Sequence, residues 1–138
     1  MSGLRFLDTN ILLYSISRDR AEAAKRERAV ALLDRDDVAV SVQVLGEFYV
    51  QATRPTRRDA LPHDLAAGLI TAWLRFPVQE ITRAVLLDAL EIKATHGFSY
   101  WDSAIIAAAS ALGCRELYTE DLTHGREIQG VRIVDPFK

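Results

Sequence analysis

Cysteine occurs only once in this 138-residue sequence, at Cys114, which excludes an internal disulfide framework, a cysteine zinc cluster and a CxxC redox pair. Neither sign of charge prevails: 17 Lys and Arg stand against 19 Asp and Glu, a formal charge of −2, so no global positive field gathers a polyanion. No apolar run approaches the ~20 residues that a membrane-spanning helix needs. The first residues, MSGL, lead directly to Asp8 and Asn10 without the basic flank and apolar stretch of a signal peptide, so a cytoplasmic protein is expected. Internal repeats and low-complexity tracts are also missing. What is present is a 49% hydrophobic chain, enough for one core and too short for two ordinary ones, and the whole of 1–138 reads as a single domain.

Hydrophobic periodicity divides the chain into alternating strands and helices. The run LRFL at 4–7 reads as a buried strand that ends abruptly at Asp8-Thr9-Asn10, a polar loop or helix start. Strong helix formers with charges on one side give an amphipathic helix over 21–33, followed by a β-branched strand, VAVS, at 38–41. A largely apolar helix over 42–53 carries one polar stripe, Gln43, Glu47 and Gln51, at four-residue spacing. TRPTRRD at 53–59 is an exposed basic loop, and Pro62 suits the first turn of a helix running through Trp73. A strand at 78–81 and a Thr82-capped helix over 83–95, ended by Gly97, come next. Ser99 opens a helix to Gly113, rich enough in small residues to pack closely on a sheet, and strands at 115–118 and 131–134 complete the set. Strands alternating with helices predict a three-layer α/β/α sandwich around a mostly parallel central sheet.

In such sheets ligands lie beyond the carboxyl ends of the strands, which gives weight to Asp8 after LRFL and Asp121 after RELY. Converging carboxylates repel one another unless a cation neutralises them, and hard ions such as Mg²⁺ or Mn²⁺ match carboxylate and water oxygens. Each acid also has an ordinary role open to it. Asp8 is a good helix cap, Glu47 a normal helix-surface residue, and Asp121 with Glu120 suits a turn. Asp102 stands three residues after Ser99, the spacing of a capping box.

Four motifs in order bear on this choice: FLDTNILLY at 6–14, VLGEFYV at 44–50, YWDSAIIAAASALGC at 100–114 and LYTEDLTHG at 117–125. In residues, spacing and total length the chain resembles the PIN-domain nucleases, and among them the VapC toxins of type II toxin–antitoxin modules. The resemblance implies an endoribonuclease dependent on Mg²⁺ or Mn²⁺, with Asp8, Glu47, Asp102 and Asp121 as its acidic quartet and metal ligands. Thr9, Asn10, Ser103 and Thr119 would support them, and the T-x-D form of the last motif favours Asp121 over Glu120. It also implies an RNA substrate, a cognate antitoxin and a homodimer.

Positive charge for RNA would come from Arg54, Arg57 and Arg58, with Arg18 and Arg20 after the first motif, and His124 lies close enough to Asp121 to approach a phosphate. Apolar helix surface around Phe48, Tyr49, Leu69 and Trp73 exceeds what one sheet face covers, so part of it is a candidate interface. Three other readings compete. A haloacid-dehalogenase-type phosphohydrolase needs a second Asp where Asn10 stands. A magnesium-dependent phosphoacceptor module wants an adjacent acid pair after the first strand and a lysine after a late strand, and has neither. A catalytically silent PIN-like RNA-binding module fits poorly with four intact acids.

Overall fold

The computed structural model describes residues 3–138. Chain order is β1 (Arg5–Leu7), α1 (Thr9–Ser15), a 3₁₀ turn (Arg20–Glu22), α2 (Ala23–Leu33), β2 (Val38–Ser41), α3 (Val42–Ala52), α4 (His63–Trp73) and β3 (Val78–Gln79). α5 (Arg83–His96), α6 (Tyr100–Ala111), β4 (Glu116–Tyr118), β5 (Glu127–Ile128) and β6 (Val131–Val134) follow. The sheet order is β3-β2-β1-β4-β6-β5, with every pairing parallel except that of β5 with β6.

Handedness then sorts the helices. Successive strands β1, β2 and β3 step one way across the sheet, and the return from β3 to β4 steps the other way. Right-handed crossovers therefore put α1 to α4 on one face and α5 with α6 on the opposite face. The packing agrees, because α1 lies on α2 and α3, α3 lies on α4, and α5 pairs with α6, which covers β2, β3, β4 and β6. This is the expected α/β/α sandwich. The reversal falls between β1 and β4, so the crevice at a topological switch point opens where these two strands end.

Local chemistry explains most of the boundaries. Side-chain oxygens of Asp8, Ser41, Thr82 and Ser99 cap α1, α3, α5 and α6 by accepting hydrogen bonds from their first-turn amides. Asp19 caps the 3₁₀ turn, so α2 begins two residues later than its helix-forming sequence suggests. Pro62 sits just before α4 rather than within it. Gly97, with φ 78°, ends α5 in the left-handed conformation that favours glycine. The small-residue helix α6 is buried from Ser103 through Ala109, as a helix wedged between α5 and the sheet must be.

Three features differ from the sequence reading. β3 stops at Gln79 because Ile81 is exposed and Thr82 already caps the next helix. The two-residue strand β5 was not foreseen; it hairpins onto β6 through Gln129 and Gly130, both at positive φ, the geometry of a tight type I′ turn. Phe48 and Trp73 belong to the core, meeting edge to face with ring centroids 4.8 Å apart, so they form no external surface.

Candidate active site

Asp8 is fixed twice by its position in the chain. Its amide donates to the Tyr118 carbonyl across the β1–β4 crevice (3.1 Å), and its carboxylate begins α1 by accepting from the Thr9 amide (2.6 Å). The second carboxylate oxygen accepts from the Thr119 hydroxyl at 2.8 Å. Only 5% of the residue remains exposed. Burial pushes the Asp8 carboxyl up to about 7, and the neighbouring charges of Asp121 and Glu47 push the same way, while the Thr119 and Thr9 hydrogen bonds oppose them.

Thr119 is the junction of this edge. Fully buried after β4, its Oγ1 donates to Asp8 and accepts from both the Asp121 amide (3.1 Å) and Asn10 Nδ2 (3.2 Å). Asn10 Nδ2 also donates to Asp121 Oδ2 at 3.0 Å. On the other flank the Thr9 hydroxyl donates to Glu47 Oε1 at 3.1 Å, reaching the polar stripe of α3. One hydrogen-bonded chain therefore runs from Glu47 through Thr9, Asp8 and Thr119 to Asn10 and Asp121.

Asp102 approaches from a different layer. Helices that lead into a parallel strand begin at the carboxyl edge of the sheet, so the first turn of α6 lies on the edge that carries Asp8. Gln43 of α3 ties this turn down by donating to the Trp101 carbonyl at 3.3 Å. The Ser99 half of the capping box is formed, Ser99 Oγ accepting from the Asp102 amide at 3.1 Å. The half-buried Asp102 carboxylate itself makes no hydrogen bond or ion pair among the described residues, and capping does not occupy it.

The donor set suits a hard cation. Carboxylates gather at one sheet edge, and no cationic side chain among the described residues pairs with Asp8, Glu47, Asp102 or Asp121. Two buried oxygens, Asn10 Oδ1 and Ser103 Oγ, have no hydrogen-bond partner among the described residues. Among the described residues no three acidic, histidine or cysteine side chains close on one point, so a cation here would be held partly through water, as Mg²⁺ commonly is. Glu120 takes no part: it turns to the other side of the β4 end, where Tyr14 and Lys25 hold it.

Residues 5–126 match the family model of the PIN domain. The chain belongs to the PIN-domain family. Its fold is similar to a toxin–antitoxin complex from Klebsiella pneumoniae (TM-score 0.70, 22% identity, covering 96% of this chain and 97% of that one). It is also similar to Mycobacterium tuberculosis VapC20, described as a Sarcin-Ricin loop cleaving toxin (TM-score 0.66, 22% identity, 85% and 91% covered). A third similar structure is the DNA-bound VapBC of Salmonella typhimurium (TM-score 0.66, 20% identity, 99% of each chain covered). No curated protein matches the chain in sequence.

The basic residues of this PIN domain that the sequence singled out divide into two places. Arg57 and Arg58 line a pocket of about 670 Å³ together with Arg18 and Arg20. Asp59 fastens the two loops that form it, accepting from Arg57 Nε at 3.0 Å and from the Arg18 amide at 3.3 Å. Arg54 lies elsewhere, in an apolar trough of about 550 Å³ that also includes Glu47, Val50, Ile81 and Trp101. His124 accepts from the Asp135 amide at 3.0 Å, which ties its ring to the C-terminal turn. Sequence reasoning missed two contributors, the Gln43 tether and the Lys25 contact with Glu120. For Gln43 the polar stripe was a visible signal; Lys25 lay unremarked within a charged helix face.

Proposed function

We propose that the chain, acting as a single PIN domain, is a metal-dependent endoribonuclease and the toxin of a VapBC-type module. The observation that carries this reading is the buried Asp8 at the switch point, joined through hydroxyl and amide groups to Glu47 and Asp121 and without a counter-cation among the described residues. Asp8 and Asp102 would be the direct ligands for Mg²⁺ or Mn²⁺, and Glu47 and Asp121 would act through water or hold a second ion. A cation held there would supply polarisation of the scissile phosphate and a lowered pKa for an attacking water.

The protein's own groups do the positioning. Thr119 and the Thr9 amide fix both Asp8 oxygens, so the carboxylate cannot rotate away from the crevice. Thr9 orients Glu47 and Asn10 orients Asp121, leaving one of these acids to accept a proton from the nucleophilic water. Ser103, with its unpartnered hydroxyl next to Asp102, is a further donor for a phosphate oxygen or a metal-held water. The guanidinium groups of Arg18, Arg20 and Arg58 form no ion pair among the described residues and are available to RNA phosphates. Arg57, paired with Asp59, lines the same pocket, while Arg54 borders the separate trough beside Glu47.

Partners follow from the same reading. VapC20 is described as a Sarcin-Ricin loop cleaving toxin and the similar Klebsiella pneumoniae structure as a toxin–antitoxin complex, which supports RNA as substrate and an antitoxin as inhibitor. A homodimer is favoured by exposed Val42 and Val50 on α3, Ile81 in the β3–α5 connection, Leu86, Leu87 and Leu90 on α5, and Trp101 in the first turn of α6. No helix among the described residues is long and apolar enough to cross a membrane, and we place the module in the cytoplasm. The deciding assay is RNA cleavage in Mg²⁺ or Mn²⁺ by the native protein, Asp8→Asn and Asp102→Asn. Losses of about a hundredfold or more are expected for both; native-level cleavage by Asp8→Asn would refute the assignment.

A further inference from the structure

Three consecutive residues leave β4 with their side chains on alternating sides. Thr119 turns to Asp8, Asp121 turns to Asn10, and Glu120 between them turns away. Both Glu120 oxygens are gripped on that outer side. Lys25 Nζ, from the first turn of α2, meets Oε2 at 2.8 Å, and the Tyr14 hydroxyl, from the end of α1, donates to Oε1. Lys25 also reaches the Tyr14 hydroxyl at 3.2 Å and lies 4.9 Å from the Tyr14 ring centre and 5.3 Å from that of Phe137. The two rings pack edge to face at 5.1 Å. The lysine therefore sits in a defined seat and is not a freely solvated surface cation.

We propose that Lys25, with Tyr14, is a positioning residue: by gripping Glu120 on the outer side it holds Thr119 and Asp121 facing Asp8, and so sets the affinity of the acidic edge for its divalent cation. This rests on the reading that the edge binds Mg²⁺ or Mn²⁺. The chain bends at Glu120 and Asp121 just after β4, and the Asp121 amide donates to Thr119 Oγ1 at 3.1 Å, so the three residues form one short turn in which anchoring Glu120 restrains the two groups that flank it. Released, Glu120 is one residue from Asp121 and free to swing toward the carboxylates, carrying the backbone with it. A half-exposed ion pair of this kind adds little to global stability, which separates the positioning role from a merely structural one.

Electrostatics makes the test sharp, because the two accounts have opposite signs. Removing the Lys25 charge leaves the edge more negative, so charge alone tightens cation binding, whereas loss of positioning weakens it. The full chain, stripped with chelator, is titrated with Mn²⁺ by electron paramagnetic resonance as wild type, Lys25→Ala and Lys25→Arg. Amide hydrogen exchange at 119–121 is followed in the same metal-free proteins. We expect Lys25→Ala to bind Mn²⁺ about tenfold more weakly, as outer-shell losses do, with faster exchange at 119–121. Lys25→Arg keeps the charge and the donors and should stay near wild type. Unweakened Mn²⁺ binding by Lys25→Ala overturns the proposal. If the wild type binds no Mn²⁺, the metal-dependent reading falls; exchange at 119–121 still judges the grip, faster in Lys25→Ala supporting it and unchanged overturning it.

Discussion

Replacing Asp8 by asparagine should make the metal-free protein more stable while abolishing its proposed activity. In an unfolded chain an aspartate titrates near ~3.9, whereas burial raises Asp8 to about 7 in the folded protein. Between these values the folded state holds the proton more tightly than the unfolded state does. Stability is therefore complete below about pH 4, declines as pH rises toward 7, and levels off above it. A gap of about three units at 1.36 kcal/mol each corresponds to about 4 kcal/mol lost by the wild type at pH 8. Asparagine does not titrate, and its side-chain oxygen can still accept from the Thr9 amide or the Thr119 hydroxyl. With the oxygen kept on the Thr9 amide, its NH₂ faces Thr119 Oγ1, which already accepts from Asn10 and the Asp121 amide, so one charge-assisted hydrogen bond is lost, which reduces the net gain to about 2–3 kcal/mol. For a domain of this size that is a rise of about 6–12 °C in Tm.

Differential scanning calorimetry in EDTA at pH 5, 6, 7 and 8 measures it. The Tm difference between Asp8→Asn and wild type should widen from pH 5 to pH 7 and change little more by pH 8. Added Mn²⁺ should then close the gap by stabilising the wild type alone, because only the wild type retains the ligand. A difference that stays flat from pH 5 to pH 8 would refute the claim that burial penalises this carboxylate. Observed together with lost cleavage, a more stable variant also shows that inactivity does not come from misfolding.

Two further outcomes follow from the surface. Combined Arg18→Ala, Arg20→Ala and Arg58→Ala should weaken RNA binding and flatten its logarithmic salt dependence by about 2, the effect of losing three single-strand phosphate contacts; an unchanged slope in filter binding removes this pocket from the RNA path. Ile81→Glu with Leu87→Glu should shift the protein from dimer to monomer in analytical ultracentrifugation while leaving Tm nearly unchanged, since both side chains are exposed. A wild type that sediments as a monomer at tens of micromolar would count against the dimer.

Features governed by local chemistry were readable in the sequence. The apolar runs at β1, β2 and β6 and the caps Thr82 and Ser99 found their elements because a strand run or a capping hydroxyl acts within a few residues of itself. β5 was not readable, since two residues within GREIQG pair only because β6 lies alongside, and a Gln-Gly turn signals a hairpin more weakly than Asn-Gly does. The four acids could be named from their motifs, yet their relation could not. Spacing gave no indication that one threonine hydroxyl would join Asp8, Asn10 and Asp121, because that junction crosses over a hundred residues of chain. The motifs also carried no sign of the difference between two members of the quartet: Asp8 is buried and tied at both oxygens, while Asp102 is half-buried and untied.

The sheet ends at each side in a strand of only two residues, β3 on one flank and β5 on the other. So little unpaired backbone offers almost no template for another chain to extend the sheet, and the fold is guarded against edge-to-edge aggregation. The same economy governs how other molecules attach. A protein that associates stably with this one must read its helices, grooves and charged loops, and its specificity has to reside in side chains, since recognition by added strands is closed to it.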